Sequence, residues 1–282
     1  MIAYPFAAGG IVTRVFEAGQ SGRPLLLLHG FTSRADRWRQ TAIDLAAKGY
    51  RVFVPDLPGH GFASKSAAFD HSVTGYRDFI LDLLDRLGLD RLALVGTSLG
   101  GHIVAKVAAH SPQRVERLVM IGSMGLRALP ADRINAIRTG LADVSPAAMR
   151  TRLLSVFTDP SFVTDDLVME DVRVNTSPGA KESIDRFAAY LTTGYNDELA
   201  LDDLVALDGK IPLLMIWGED DNSMPVEIGR MARARLAHAR LATLRDVNHT
   251  PYIENPTAFQ EILIDFLEGR TPGEVPAGVT YT

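Results

Sequence analysis

Three side chains, met in the chain order serine, aspartate, histidine, could together attack a carbonyl and move its protons. Ser98 sits inside Gly96-Thr97-Ser98-Leu99-Gly100, Asp221 follows Gly218-Glu219-Asp220, and His249 lies in Val247-Asn248-His249-Thr250. Acyl transfer needs a nucleophile, a base to take its proton, an acid to orient that base, and donors for the oxyanion. Gly-x-Ser-x-Gly on its own is equally a structural serine where a glycine-rich helix begins. Its flanks argue for more. Leu92-Ala93-Leu94-Val95 is wholly apolar and too short for a helix, so it reads as a buried strand. His102-Ile103-Val104-Ala105 then continues a helix. A turn between the two must be sharp, and glycines at 96 and 100 let the backbones approach where a Cβ would collide. Ser98 is left on the apex, with the N–H groups of the new helix pointing at it.

The elements around this turn follow an alternating rhythm. Ile11 to Glu17 reads as an early strand, Leu25-Leu26-Leu27-Leu28 as a strand buried on both faces, and Arg51 to Val54 as the next. Helical spacing covers Asp36 to Lys48, Tyr76 to Leu87 and Ile103 to Ala108, and Val115 to Ile121 is again a strand. Strands alternating with helices predict a parallel sheet covered on both sides. From about Gly122 to Asp208 the pattern is helical, with Ala131 to Leu141, Ala147 to Phe157 and Lys181 to Leu191 as its clearest runs. An insertion of that size sits over the carboxyl edge of the strands, where open α/β sheets bind ligands. The sheet pattern resumes at Ile211 to Trp217 and Arg240 to Leu244. A last helix follows, capped by Asn255 with Pro256 at its first position. The expected organisation is core over 1–122, helical lid over 123–208, core over 209–270, and a loose Pro/Gly-rich tail over 271–282.

Bulk properties narrow the function. The chain has 282 residues, 46% of them apolar and 22% charged, which suits a soluble core with an insertion. A net charge of -5 without a basic block argues against nucleic acid. No apolar run reaches the roughly 18 residues of a membrane span, and Met1 to Phe6 lacks a signal-peptide pattern. There is no cysteine, and no carboxylate–histidine set has metal-ligand spacing. The expectation is a cytoplasmic enzyme acting on a small molecule, with no metal, no cofactor and no membrane partner, and compatible with a homo-oligomer.

Further motifs carry a resemblance. His29-Gly30-Phe31, Asp56-Leu57-Pro58-Gly59-His60-Gly61, the serine turn extended to Gly101, Gly218-Glu219-Asp220-Asp221 with Pro225, and Asn248-His249 together resemble the α/β-hydrolase superfamily over nearly the whole chain. The resemblance implies a mostly parallel, twisted sheet flanked by helices with an inserted helical lid. It implies Ser98 as nucleophile, His249 as its base and later the acid for the leaving group, and Asp221 rather than Asp220 or Glu219 as the orienting carboxylate. The backbone N–H groups of Phe31 and Leu99 become the oxyanion hole, each such donor being worth roughly 3 kcal/mol of barrier. His29 and His60 fall in turn motifs as structural residues, and His71, His102, His110 and His238 match no motif. A serine at the elbow sets the chain apart from the dehalogenases and epoxide hydrolases of this fold, which resemble it but place aspartate there.

The bond cut is less legible. The first expectation is a carboxylic ester or related acyl compound, cleaved through an acyl-enzyme. The alternative is carbon–carbon hydrolysis of 2-hydroxy-6-oxo-dienoates, because Leu153 to Phe157, Asp159-Pro160 and Thr164 to Val168 resemble the lid of meta-cleavage-product hydrolases. Against that stand Thr97 where those enzymes often have asparagine, Thr250 where an aromatic commonly follows the histidine, and Asp171 about where their lid arginine falls. Arg34, Arg37, Arg127 and Arg173 remain carboxylate-binding candidates, each equally readable as a solvated charge. A third reading, from another class, is a small-molecule receptor with slow turnover.

Overall fold

The computed structural model describes residues 1–271 and 275–282. Two strands open the chain, β1 (Ile2–Ala8) and β2 (Ile11–Ala18), as an antiparallel hairpin. β3 (Arg23–Leu28), α1 (Arg39–Ala47), β4 (Tyr50–Pro55), α2 (Val73–Arg86), β5 (Leu92–Thr97), α3 (Leu99–His110) and β6 (Val115–Ile121) then alternate as expected. Five helices separate β6 from the rest of the sheet: α4 (Ala131–Ala142), α5 (Pro146–Leu154), α6 (Asp165–Asn175), α7 (Ala180–Thr193) and α8 (Leu201–Leu207). β7 (Leu213–Gly218), α9 (Val226–Arg235), β8 (Arg240–Leu244), α10 (Pro251–Glu254), α11 (Pro256–Leu267) and β9 (Val279–Tyr281) complete the chain.

The nine strands among the described residues form one sheet in the order β1-β2-β4-β3-β5-β6-β7-β8-β9, parallel from β4 through β8. The tetraleucine of β3 shows why its run is continuous rather than alternating. Leu26 and Leu28 pack with α2 and α3 on one face, and Leu25 and Leu27 pack with α1 and α11 on the other. Successive side chains point to opposite faces, so a strand covered on both sides has no polar position to spare. The chain leaves β3 toward β4 on one side and returns to β5 on the other. That reversal opens a crevice at the carboxyl ends of β3 and β5. Their register sets Leu28 beside Gly96, so the segments that follow, Gly30-Phe31 and Ser98, leave the sheet side by side.

Three features differ from the sequence expectation. Ile2–Ala8 is a strand, although it carries Pro5; it lies at the sheet edge, where a missing N–H costs no ladder bond. The tail expected to be loose includes β9, which pairs antiparallel with β8 through Val279 opposite Leu244. Without β9 that face of β8 would be an open edge. The part of that expected tail at 272–274 lies outside the described residues. Arg34, readable as a surface charge, is buried at 1% exposure and joined to Asp171 and Glu170 of α6. No helix among the described residues is long and apolar enough to cross a membrane.

Candidate active site

Ser98 terminates β5 and caps α3 with φ 54° and ψ −116°, a left-handed conformation that a non-glycine residue adopts at a cost. Backbone bonds hold it there. Its N–H donates to the Ile121 carbonyl at 2.9 Å, and its own carbonyl accepts from Met124 at 3.1 Å and His102 at 3.2 Å. The glycines around it are contact requirements. A Cβ at Gly96 would run into the Gly100 carbonyl, one at Gly100 would lie 2.6 Å from the Leu28 carbonyl, and one at Gly30 would lie 3.1 Å from the Ser98 Cβ. The first two explain the motif; the third shows that β3's end and the serine touch.

Asp221 and His249 come together from the loops after β7 and β8. Nδ1 of His249 lies 2.7 Å from Oδ2 of Asp221. An ionised carboxylate only accepts, so Nδ1 carries the proton and Nε2 is free for the serine side. The other oxygen, Oδ1, accepts from the backbone N–H of Ser223 at 2.9 Å and of Met224 at 2.8 Å. Those two bonds orient the carboxylate, and Asp221 is only 5% exposed while its neighbour Asp220 faces solvent. Gly122 backs the pair, since a Cβ there would sit 2.9 Å from both Asp221 Oδ2 and His249 Nδ1.

Burial by itself would depress the His249 imidazole, but the Asp221 charge and hydrogen bond outweigh it, and the net shift is upward. A general base must be neutral. Acting as one, His249 makes kcat/KM fall as pH drops through a pKa above the ordinary imidazole value of about 6.5. A pH–rate profile checks this; a plateau running well below that value would remove His249 from the role.

Ser98 and His249 open onto one cavity of about 110 Å³ between the sheet edge and helices α5 and α6. Its walls are Met149, Leu153, Phe157 and Ile253 on the apolar side, and Arg37, Arg152 and Asp171 on the charged side. Phe31 stacks on Phe187 of α7 with ring centroids 4.2 Å apart, tying the β3 loop to the inserted helices. Among the described residues neither the Phe31 nor the Leu99 backbone N–H has a backbone acceptor in the loops and caps around the site. Thr97 and Thr250 also line the cavity, Thr250 with its hydroxyl 3.1 Å from Glu254 Oε1.

Among the described residues His249 is the one histidine lining this cavity. His29 is fully buried, its Nε2 accepting from the Leu57 N–H at 2.9 Å, and burial pulls its pKa to about 4. Burial likewise takes His60 to about 3. Neither lines the cavity. Of the arginine candidates, only Arg37 reaches the cavity wall. Arg152 is not among the arginines that the sequence singles out; the packing of α5 places it at the cavity wall, one helical turn from Met149.

Comparison with known proteins gives a consistent picture. The family model described as the alpha/beta hydrolase fold matches residues 23–256. The chain is similar to the 2-hydroxy-6-oxo-2,4-heptadienoate hydrolase of Pseudomonas putida, at 29% identity over 92% of this chain and 94% of that one. Among solved structures it is similar to the meta-cleavage product hydrolase CumD from Pseudomonas fluorescens IP01, in a mutant complexed with acetates. That match has a TM-score of 0.84 and 26% identity over 95% of this chain and 98% of the other. It is also similar to a membrane phospholipase A described as a bacterial virulence factor, with a TM-score of 0.82 and 25% identity over 95% and 86% of the two chains.

Proposed function

Because this chain belongs to the alpha/beta hydrolase fold family, we propose that it is a serine-dependent hydrolase cleaving a carbon–carbon bond beside a ketone in a small 2-hydroxy-6-oxo-dienoate. Ser98 is the nucleophile, His249 the base, Asp221 the orienting carboxylate, and the Phe31 and Leu99 N–H groups the oxyanion donors. The observation carrying hydrolysis is the single cavity into which Ser98 and the Asp221-bound His249 both open. The carbon–carbon bond is favoured over the ester because a relative matched almost end to end is named for a dienoate.

The chemistry runs in two halves. The Ser98 hydroxyl adds to the C6 carbonyl while His249 Nε2 accepts its proton, and the Phe31 and Leu99 N–H groups receive the oxyanion. Collapse of the tetrahedral adduct breaks the C5–C6 bond. Cleavage proceeds from the 2-oxo tautomer, in which the C2 hydroxyl has lost its proton and C5 has gained one. The pair departing from C5 is therefore delocalised through the C3=C4 bond onto the C2 oxygen as a dienolate, and the imidazolium gives that dienolate the proton taken from Ser98. Water, deprotonated by the same histidine, then releases the acyl group from Ser98. Helices α4 to α8, over 123–208, act as the lid that shields the acyl-enzyme from bulk water.

Ester hydrolysis is the second reading. It is supported by Thr97 and Thr250, which depart from the pattern of the carbon–carbon hydrolases, and by the likeness to a phospholipase. The test compares kcat/KM for 2-hydroxy-6-oxo-hepta-2,4-dienoate with that for p-nitrophenyl acetate and butyrate. The dienoate is expected to win by orders of magnitude. Fast ester turnover beside a poor dienoate rate would transfer the assignment to the esterase, and negligible turnover of both would favour a receptor.

A further inference from the structure

Three consecutive backbone N–H groups of the loop that carries His249 are taken by two partners. Asn248 donates to both oxygens of the Glu254 carboxylate at 3.2 Å, and Thr250 donates to its Oε1 at 3.1 Å. The His249 N–H between them donates to the Val156 carbonyl at 3.3 Å. Val156 belongs to the stretch that follows α5, and Thr158 of the same stretch donates its N–H to Glu254 Oε2 at 2.7 Å. The Thr250 hydroxyl lies between the two sides, 3.1 Å from Glu254 Oε1 and 3.3 Å from the Val156 carbonyl. Asn248 brings in a third loop. Its Nδ2 donates to the Ser155 carbonyl at 3.3 Å, and its Oδ1 accepts at 3.0 Å from the N–H of Asn222, the residue after Asp221.

A carboxylate reaching back to the N–H groups ahead of a short helix such as α10 is by itself an ordinary cap. Thr158 makes it more than that, because it lies 96 residues earlier, in the inserted segment. One carboxylate therefore joins the backbone of the base to the stretch whose Val156 and Phe157 line the cavity shared by Ser98 and His249. Hydrogen bonds to an ionised acceptor are stronger than neutral ones, and a base must keep its geometry to within about 0.5 Å. The charged groups around the imidazole are Asp221 on its Nδ1, Glu254 beside its loop, and Arg37, Arg152 and Asp171 on the cavity wall. Burial depresses the imidazole, whereas the charges of Asp221 and, after it, Glu254 raise it.

We propose that Glu254 is a positioning residue for the reaction at Ser98, fixing the backbone that carries His249 and fastening it to the inserted stretch at 155–158. This rests on the hydrolase reading. The test follows p-nitrophenyl acetate turnover against pH in the native protein and in Glu254→Gln. Glutamine keeps the length but offers one carbonyl oxygen in place of two, so its NH₂ sets a donor against a donor on one side. kcat is expected to fall about 10- to 100-fold, the worth of hydrogen bonds to a charged group, with KM little changed. Loss of the negative charge also lowers the His249 pKa, so the acid limb is expected to move to lower pH, by less than in Asp221→Asn. A residue that merely capped α10 would lower the melting temperature and leave that limb in place. A native-like kcat, or an acid limb that stays where it was, would overturn the proposal. Should Glu254→Gln not fold, Glu254→Asp is measured instead; its stem is too short to serve both sides, and a native-like kcat there would overturn the proposal equally. Failure of the hydrolase reading would show separately, as native turnover that survives Ser98→Ala.

Discussion

Ser98→Ala is expected to lower kcat by on the order of 10⁴- to 10⁶-fold on whichever ester or dienoate the native protein turns over. The size follows from the way the site is built. Other hydroxyls line the cavity, but Thr97 belongs to the strand and Thr250 is bound to Glu254. Thr32 also has a positive φ and lines the cavity, but of these hydroxyls Ser98 alone stands at the start of α3. Removing its Oγ deletes the atom that would be acylated and leaves the backbone donors in place, so residual activity reflects those donors and binding alone. Substituting a buried-edge hydroxyl by hydrogen changes packing little, and an unchanged circular dichroism spectrum and melting temperature would establish that the loss is chemical. Activity within tenfold of the native rate would mean that another group carries the reaction.

Asp221→Asn is expected to cost on the order of 10⁴-fold in kcat, nearly isosteric though it is. The backbone N–H groups of Ser223 and Met224 both donate to Oδ1. An asparagine there must place its carbonyl oxygen at that position to accept them. Its NH₂ is then turned toward His249, where Oδ2 had accepted from Nδ1 at 2.7 Å. Two donors cannot face each other, so Nδ1 becomes the acceptor and the proton moves to Nε2. That is the wrong tautomer for taking a proton from Ser98. The same change removes the charge that raises the His249 pKa, so the acid limb of the pH–rate profile is expected to move to lower pH. Steady-state kinetics with a pH series reads both effects. Near-native kcat with an unmoved profile would show that Asp221 does not orient the base.

Much of this was legible before any coordinates. Alternating strands and helices from Leu25 to Ile121 implied the parallel sheet, since a strand buried on both faces must be apolar throughout and a helix on a sheet must show its own period. Local steric demand made the glycines around Ser98 readable, because their contacts are with residues a few positions away or with the adjoining strand. The long helical stretch after β6 was equally plain. The edges were not. β1 and β9 owe their conformation to the ladders they join rather than to their own composition.

Charge was the other limit. The residue types and chain order of Ser98, Asp221 and His249 are properties of the sequence, and so is the sharp turn that lifts the serine. Which carboxylate meets the imidazole was implied only by resemblance; the structure sets Asp221 against His249 because two backbone N–H groups hold its other oxygen and its neighbour Asp220 is turned outward. Arg34, Arg37 and Arg152 are indistinguishable as letters. Tertiary packing alone buries the first against Asp171, pairs the second with the same carboxylate, and sets the third at the cavity wall. A local conformation depends on neighbours in the chain, whereas the fate of a charge depends on how many opposite charges and acceptors the whole fold brings within reach, and that number does not exist until the chain has folded.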